Sequence, residues 1–274
     1  MLKRVVVFIL FVAICLSLPA GAKRFTHGFK IGKMRLEIPY RSDLDHGMIS
    51  PEIKRILSQP FKYLDRGAQC YAFLSEDGNY VLKLFRFDQL NRFKKNRKKR
   101  ALAQTVCRFF KSCELASTIA SEETGVIFLH LDPTVGALPI LKARGPLGRP
   151  LRLPLDQYRF ALQMKAQPLE PALAAALAEG KLSKRIEEII SLLESRISKG
   201  IGNTDPSLWR NFGFLDDRAI EIDFGNFVER PDFSLSQNAK IELERYMRYL
   251  RSWLEENGPE YLPHFNDRVE SSKL

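Results

Sequence analysis

The chain has 274 residues, 45% hydrophobic and 27% charged, which is a globular composition with enough apolar material for one large core or two small ones. The formal net charge of +11 points to an acidic partner: phosphate, nucleic acid or a membrane surface. Four scattered histidines and four cysteines fit no zinc spacing, and neither G-x-S-x-G nor H-E-x-x-H occurs, so imidazole-metal and serine-hydrolase chemistry are set aside.

Lys3 and Arg4 head an uncharged apolar run from Val5 to Leu18. Pro19 breaks it, and Ala20-Gly21-Ala22 has the small-x-small form of a cleavage site. A helix over that run rises about 21 Å, short of a bilayer core of about 30 Å. Residues 1–22 therefore read as a signal peptide of bacterial look, and the mature protein as secreted or periplasmic. An uncleaved N-terminal membrane anchor is the alternative. Cleavage leaves Cys70, Cys107 and Cys113, an odd and low count that argues against a disulfide framework.

Residues 23–60 read as a basic, weakly periodic leader with a short helix near Pro51 to Leu57. Strands are expected over Tyr71 to Leu74 and Tyr80 to Phe85, joined by a turn at Asp77-Gly78, where glycine accepts φ > 0. Arg92, Lys94, Lys95, Arg97, Lys98, Lys99 and Arg100 then put seven positive charges into nine residues. This run reads as a solvated face or as a patch for an anionic surface. A helix is expected from about Arg100 to Glu123, then a strand from Val126 to Leu131. Gly145-Pro146-Leu147-Gly148 reads as a turn between two short strands. A further strand is expected over Tyr158 to Met164.

The second half reads as mainly helical, over Pro168 to Leu177, Leu182 to Lys199 and Gln237 to Glu256. Ile186, Ile189, Ile190, Leu193 and Ile197 recur at helical spacing, and Gly200 ends that helix. One hairpin, Phe212 to Ile222 around Asp216-Asp217, interrupts the helices. A β-rich part followed by a helical part is an α+β, two-lobe layout. Residues 61–166 are expected to form the first lobe and 167–274 the second, as a monomer by default.

Four pieces carry chemistry. Gly67, Ala68 and Gln69 form a small-residue turn after a strand, where backbone N–H groups can approach phosphate oxygens. Lys83 is the one charge in an apolar strand, so its ammonium must find a partner or snorkel to solvent. Glu114, on the following helix, is the candidate partner. Asn203 to Asn211 is a polar loop containing Asp205. Asp223-Phe224-Gly225 ends the hairpin, so Asn211 and Asp223 stand at its two ends, where their oxygens can share a divalent cation such as magnesium.

In this order the pieces resemble those of the protein-kinase-like superfamily, over roughly Phe61 to Val228. Asp223-Phe224-Gly225 resembles the metal-binding D-F-G. Asn211 resembles the asparagine of the catalytic loop, Lys83 the strand lysine that contacts nucleotide phosphates, and Glu114 the helix glutamate that orients it. The resemblance implies ATP and magnesium as cofactors, with Asp205 as the catalytic carboxylate. The chain departs from the family in several places. Of the three glycines of G-x-G-x-x-G only Gly67 is kept, with Asp65 and Cys70 at the other two positions. H-R-D and A-P-E are missing, and Asp205 precedes Asn211 by one residue more than the family spacing.

Three readings stay open. One is an exported phosphotransferase acting on an unknown protein or small-molecule substrate. Another is a pseudokinase, an inactive kinase-like module that binds a protein or nucleotide. The third is a basic secreted protein that holds anionic polymer or lipid through Arg92 to Arg100.

Overall fold

The computed structural model describes residues 26, 28–36, 42, 49–88 and 99–274, with side chains from residue 103 onward in the last segment. The expected signal peptide and nearly all of the basic run 92–100 lie outside the described residues.

The chain before the sheet contributes helix α1 (Pro51–Ser58), whose first turn is capped by Ser50 accepting from the Ile53 N–H at 3.2 Å. Strands β1 (Phe61–Arg66), β2 (Cys70–Ser75) and β3 (Tyr80–Phe85) form an antiparallel meander. Helix α2 (Lys99–Thr118) and the one-turn α3 (Ser121–Thr124) lead to β4 (Val126–His130). β5 (Ile140–Arg144) and β6 (Pro150–Pro154) pair as a hairpin, and β7 (Phe160–Met164) closes this part. The seven strands lie in the order β4-β7-β3-β2-β1-β5-β6.

The chain then turns helical. β8 (Gln167–Pro168) precedes α4 (Leu169–Ala178) and α5 (Leu182–Ser198). β9 (Ile201–Asn203), the one-turn α6 (Leu208–Asn211), β10 (Phe212–Leu215), β11 (Arg218–Glu221) and β12 (Phe227–Glu229) follow. α7 (Ser236–Asn257) and α8 (Leu262–Glu270) end the chain. β8, β10 and β11 form a small sheet, and β9 pairs with β12. The architecture is thus mixed α+β, with a sheet-rich first part and a helical second part. Among the described residues no helix is long and apolar enough to cross a membrane.

Three apolar clusters hold this arrangement. On one sheet face Phe61, Phe73, Leu84, Leu141, Leu153 and Phe160 pack with Met34, Ile49, Ile53, Ile56 and Leu57. The described residues before Phe61 are therefore integral to that core, because their isolated apolar side chains cover a face the strands leave open. On the opposite face Phe85, Ala161 and Val126 pack against Val106, Phe110 and Cys113 of α2, joined by Phe224 and Phe227. The helical part is centred on Ile186, Ile190 and Leu193 of α5 and Leu243, Met247 and Leu250 of α7.

The helix expected to run to Glu123 stops at Thr118. The Ala120 N–H reaches back to the Leu115 carbonyl at 2.9 Å, and the Thr124 hydroxyl donates to the Ala116 and Ala120 carbonyls, both at 2.8 Å. These bonds start a separate turn, which Gly125 ends at φ 65°.

Gly213, on β10, shows how closely the second part is built. A Cβ there would lie 2.5 Å from the Gln167 carbonyl oxygen and 3.1 Å from the Ala166 Cβ. Backbone cannot swing aside as a side-chain end can, so Gly213→Ala is expected to cost about 2 kcal/mol by overpacking. Gly32→Ala, which meets nothing within 4 Å, is the control, and thermal denaturation of both variants checks the difference.

Candidate functional site

Where the two parts meet, a cavity of about 580 Å³ opens. Gly67, Ala68, Gln69, Lys83, Asp205, Asn211 and Asp223 all line it, although they come from four separate stretches of chain. Glu114 is the one expected site residue not on its wall.

The roof is the β1–β2 turn. The Gly67 N–H closes the hairpin on the Cys70 carbonyl at 3.0 Å. Arg86 pins the turn from behind: its Nη1 donates to the Gly67 carbonyl at 2.9 Å, and its backbone N–H to that of Gln69 at 2.7 Å. Asp88 braces this guanidinium at 3.0 Å and is itself reached by Lys33 at 3.4 Å. With its carbonyls held, the turn keeps its shape, and no backbone or side-chain acceptor among the described residues takes the N–H groups of Ala68 and Gln69.

Lys83 stands in mid-strand, with Ala72 opposite it on β2 and Ala161 on β7. Two small neighbours leave room for its stem on the cavity face. Its ammonium donates to the Ile222 carbonyl and lies 4.9 Å from the centroid of the Phe224 ring. The expected pairing with Glu114 is a correction: among the described residues no ion pair joins them. Helix α2 turns Phe109, Ser112 and Cys113 toward the site, and Glu114 is one residue further round, about 100° away on the helix surface. Ser112 of α2 instead anchors the stretch after Asp223, donating its hydroxyl to the Phe224 carbonyl and accepting from the Phe227 N–H. A serine in mid-helix gives no sign of this in the sequence.

The floor is the loop from Asn203 to Asn211. The Asn203 side chain accepts from the Asp205 N–H at 2.8 Å, and the Asp205 carboxylate from the Ser207 N–H at 3.3 Å. The Asn211 amide donates to the Asp205 carbonyl at 2.9 Å, which closes the loop on itself. The Asn211 carbonyl accepts from Ile222 at 2.6 Å and Asp223 at 3.3 Å, which holds the two ends of the hairpin together. The Asp223 carboxylate accepts from the Gly225 N–H at 3.3 Å.

Behind this floor is a buried charge network that sequence reasoning missed. Arg196 of α5, fully buried, lies 3.3 Å from both Glu221 and Glu242. Glu221 accepts from the Asn203 side chain at 2.7 Å, and Glu242 from the Asn203 N–H at 3.2 Å and from Arg245. Burial pushes the Glu221 carboxyl up to about 7, with Arg196 pulling the other way. The network ties α5, α7, β9 and β11 to the loops that carry Asp205 and Asp223.

Cys70 lines the cavity, but burial pushes its thiol up to about 11, so it is a poor thiolate. Among the described residues no group of three or more His, Cys, Asp or Glu side chains is placed to hold a metal ion.

No protein-family model matches the chain, and no curated protein matches it. Solved structures do. A crystal structure of WbdD matches 66% of this chain at 16% identity with a TM-score of 0.37. A second structure, of the bifunctional kinase-methyltransferase WbdD, matches 64% at 16% identity and a TM-score of 0.35. WbdD in complex with the kinase inhibitor LY294002 matches 66% at 16% identity and 0.37. The chain spans about a third of the length of these structures, covering 36%, 34% and 37% of them.

Proposed function

We propose that the protein is a kinase-like phosphotransferase that binds ATP with magnesium in the cavity between its two parts. The observation that supports this most is the convergence of Lys83, Asp205, Asn211 and Asp223 on one cavity wall from distant stretches of chain. A volume of about 580 Å³ is within the range of small-molecule sites, which run to roughly 1,000 Å³. A carboxylate and a carboxamide brought together by the Asn211–Asp223 backbone bond form the oxygen-rich donor set that suits magnesium. Bound there, the ion would neutralise charge developing on the phosphate oxygens.

In this reading the β1–β2 turn offers the N–H groups of Ala68 and Gln69 to phosphate oxygens, and Lys83 exchanges the Ile222 carbonyl for a phosphate. Asp205 accepts the proton of the attacking hydroxyl, which makes the acceptor an alcohol or phenol. Export from the cytoplasm would require that the nucleotide be met elsewhere, for instance after delivery into a host cell.

One feature favours a second reading, a kinase-like module that binds without turnover. A Cβ on Gly225 would lie 1.9 Å from Gln69 Oε1, so the Gln69 side chain rests on the glycine of Asp223-Phe224-Gly225. With Asp65 and Cys70 also in place of glycines, the roof is heavier than phosphate binding requires.

Thermal denaturation with ATP, with and without magnesium, tests the proposal. At a hundredfold excess over the dissociation constant a native-state ligand stabilises by about 2.7 kcal/mol, which for a chain of this size raises the melting temperature by roughly 5–10 °C. Lys83→Ala is expected to remove most of that rise. A well-folded wild-type protein that ATP and magnesium do not stabilise would sink the nucleotide reading.

A further inference from the structure

The β5–β6 hairpin lies at the far edge of the seven-stranded sheet, away from the cavity, and carries an unusual charge arrangement. Arg144 on β5 is in register with Lys62 on β1, and Lys142 with Arg152 on β6. Register partners point to the same face, so these four cations form one exposed cluster across three strands. Arg149, at the turn, adds a fifth. None of the five takes part in an ion pair or side-chain hydrogen bond among the described residues.

Like charges directly opposite each other on adjacent strands destabilise a sheet. The Lys142–Arg152 and Lys62–Arg144 pairs therefore cost stability in the isolated protein, and an anionic surface laid against them would offset that cost. The turn carries a second oddity. Leu147 is 76% exposed and adopts φ 60°, ψ 21°, a left-handed conformation unusual for a bulky residue. The turn is closed by Gly145 donating to the Arg149 carbonyl at 2.8 Å, with exposed Leu147 inside it and Arg144 and Arg149 flanking it in sequence. Ile140, 51% exposed, shares the face of Lys142 and Arg144. Pro150 and Pro154 at the ends of the edge strand discourage the addition of a further strand, so the face and the turn are what remain to meet a partner.

We propose that this hairpin is a membrane-contact element that sets Leu147 into the headgroup layer of an anionic bilayer while Lys62, Lys142, Arg144, Arg149 and Arg152 meet lipid phosphates. An exposed cationic face with an apolar residue at its turn is complementary to an anionic lipid surface. A soluble polyanion would use the cations and leave Leu147 without a role. The inference stands apart from the nucleotide reading, since none of these residues lines the cavity.

Sedimentation of the full chain with vesicles tests it, comparing phosphatidylcholine alone with phosphatidylcholine containing phosphatidylglycerol. The wild type is expected to prefer the anionic vesicles. A variant carrying Lys142→Glu, Arg144→Glu, Arg149→Glu and Arg152→Glu should lose about 100-fold or more in affinity for them. Leu147→Ser, which leaves every charge in place, should lose about 10-fold. Charge reversal of Lys94, Lys95, Arg97 and Lys98 separates the hairpin from the basic run. If only that reversal abolishes binding, or if both hairpin variants bind as the wild type does, the proposal is overturned. It is also overturned if Leu147→Ser is silent and soluble polyphosphate displaces the protein from vesicles completely, since the site then serves a polymer. Should the fourfold variant fail to fold, Leu147→Ser and the pair Arg149→Gln with Arg152→Gln decide the matter.

Discussion

Asp223→Asn is expected to abolish the magnesium-dependent part of ATP stabilisation while leaving the melting temperature of the free protein nearly unchanged. The carboxylate does two separable things. It accepts from the Gly225 N–H at 3.3 Å, which any side-chain oxygen at that position can do, and it supplies a full negative charge to the cavity. Asparagine keeps the first and removes the second. Asp223→Ala removes both and should also lower the free protein's melting temperature, by an amount set by one turn bond, about 1 kcal/mol. Of a binding increment of about 2.7 kcal/mol at a hundredfold ligand excess, the part that magnesium adds should then vanish in both variants. Asp205→Asn gives the complementary result. Its oxygen still caps the Ser207 N–H, so the loop and nucleotide binding should survive. Phosphoryl transfer to an acceptor hydroxyl should fall by about 10²-fold or more, the usual contribution of a positioned base. Equal transfer rates in wild type and Asp205→Asn would remove Asp205 from the mechanism. Nucleotide binding with no transfer in either would favour the binding module.

The sequence made the two-part layout legible where periodicity was long or a local residue left little choice. A lone lysine among Tyr80, Val81, Leu82, Leu84 and Phe85 marks a strand whose one charge needs an outlet, and Lys83 is on β3 and on the cavity wall. Gly200, at φ 70°, stops α5 where a left-handed residue is needed. Asp216, at φ 53°, makes the hairpin turn expected of an Asp-Asp pair. What stayed hidden depends on tertiary packing. Met34, Ile49 and Ile53 are single apolar residues in polar surroundings, and only the sheet face they cover gives them a role. β9 and β12 have three residues each, too few to show a period. Glu114 has the right charge on the right helix. Which way a helix faces is decided by packing, and α2 buries Val106, Phe110 and Cys113 against the sheet, which carries Glu114 off the site. The role of Arg196 was not legible, because nothing nearby in sequence shows that Glu221 and Glu242 come to meet it.

That buried arginine is where a single substitution should do the most structural damage. Arg196→Met removes the cation facing Glu221 and Glu242, both almost wholly buried; Glu221, which burial already pushes up to about 7, must then take up a proton to stay in a low-dielectric interior, and Glu242 is left with Arg245 as its cation. Breaking a buried ion pair from one side typically costs about 3–5 kcal/mol, because the remaining charge has lost its partner without regaining water. For a chain of this length that is a fall of roughly 10 °C or more in melting temperature. The cost comes from the orphaned charge more than from the lost attraction, so it should be largely reversible in the double variant Arg196→Met with Glu221→Gln. Glutamine can still accept from the Asn203 side chain, as Glu221 does at 2.7 Å, and brings no charge into the core. Glu242 keeps Arg245 and the Asn203 N–H. Thermal and denaturant unfolding of the two variants should therefore show the double variant as the more stable. A single variant within about 1 kcal/mol of wild type would mean that water reaches these carboxylates. If the single variant is destabilised and the double variant is no better, packing around the guanidinium, against the rings of Phe227 and Tyr246, sets the stability instead of charge. Because Asn203 and Glu221 flank the loops bearing Asp205 and Asp223, the same pair of variants should also order nucleotide binding, with the double variant recovering it in step with stability.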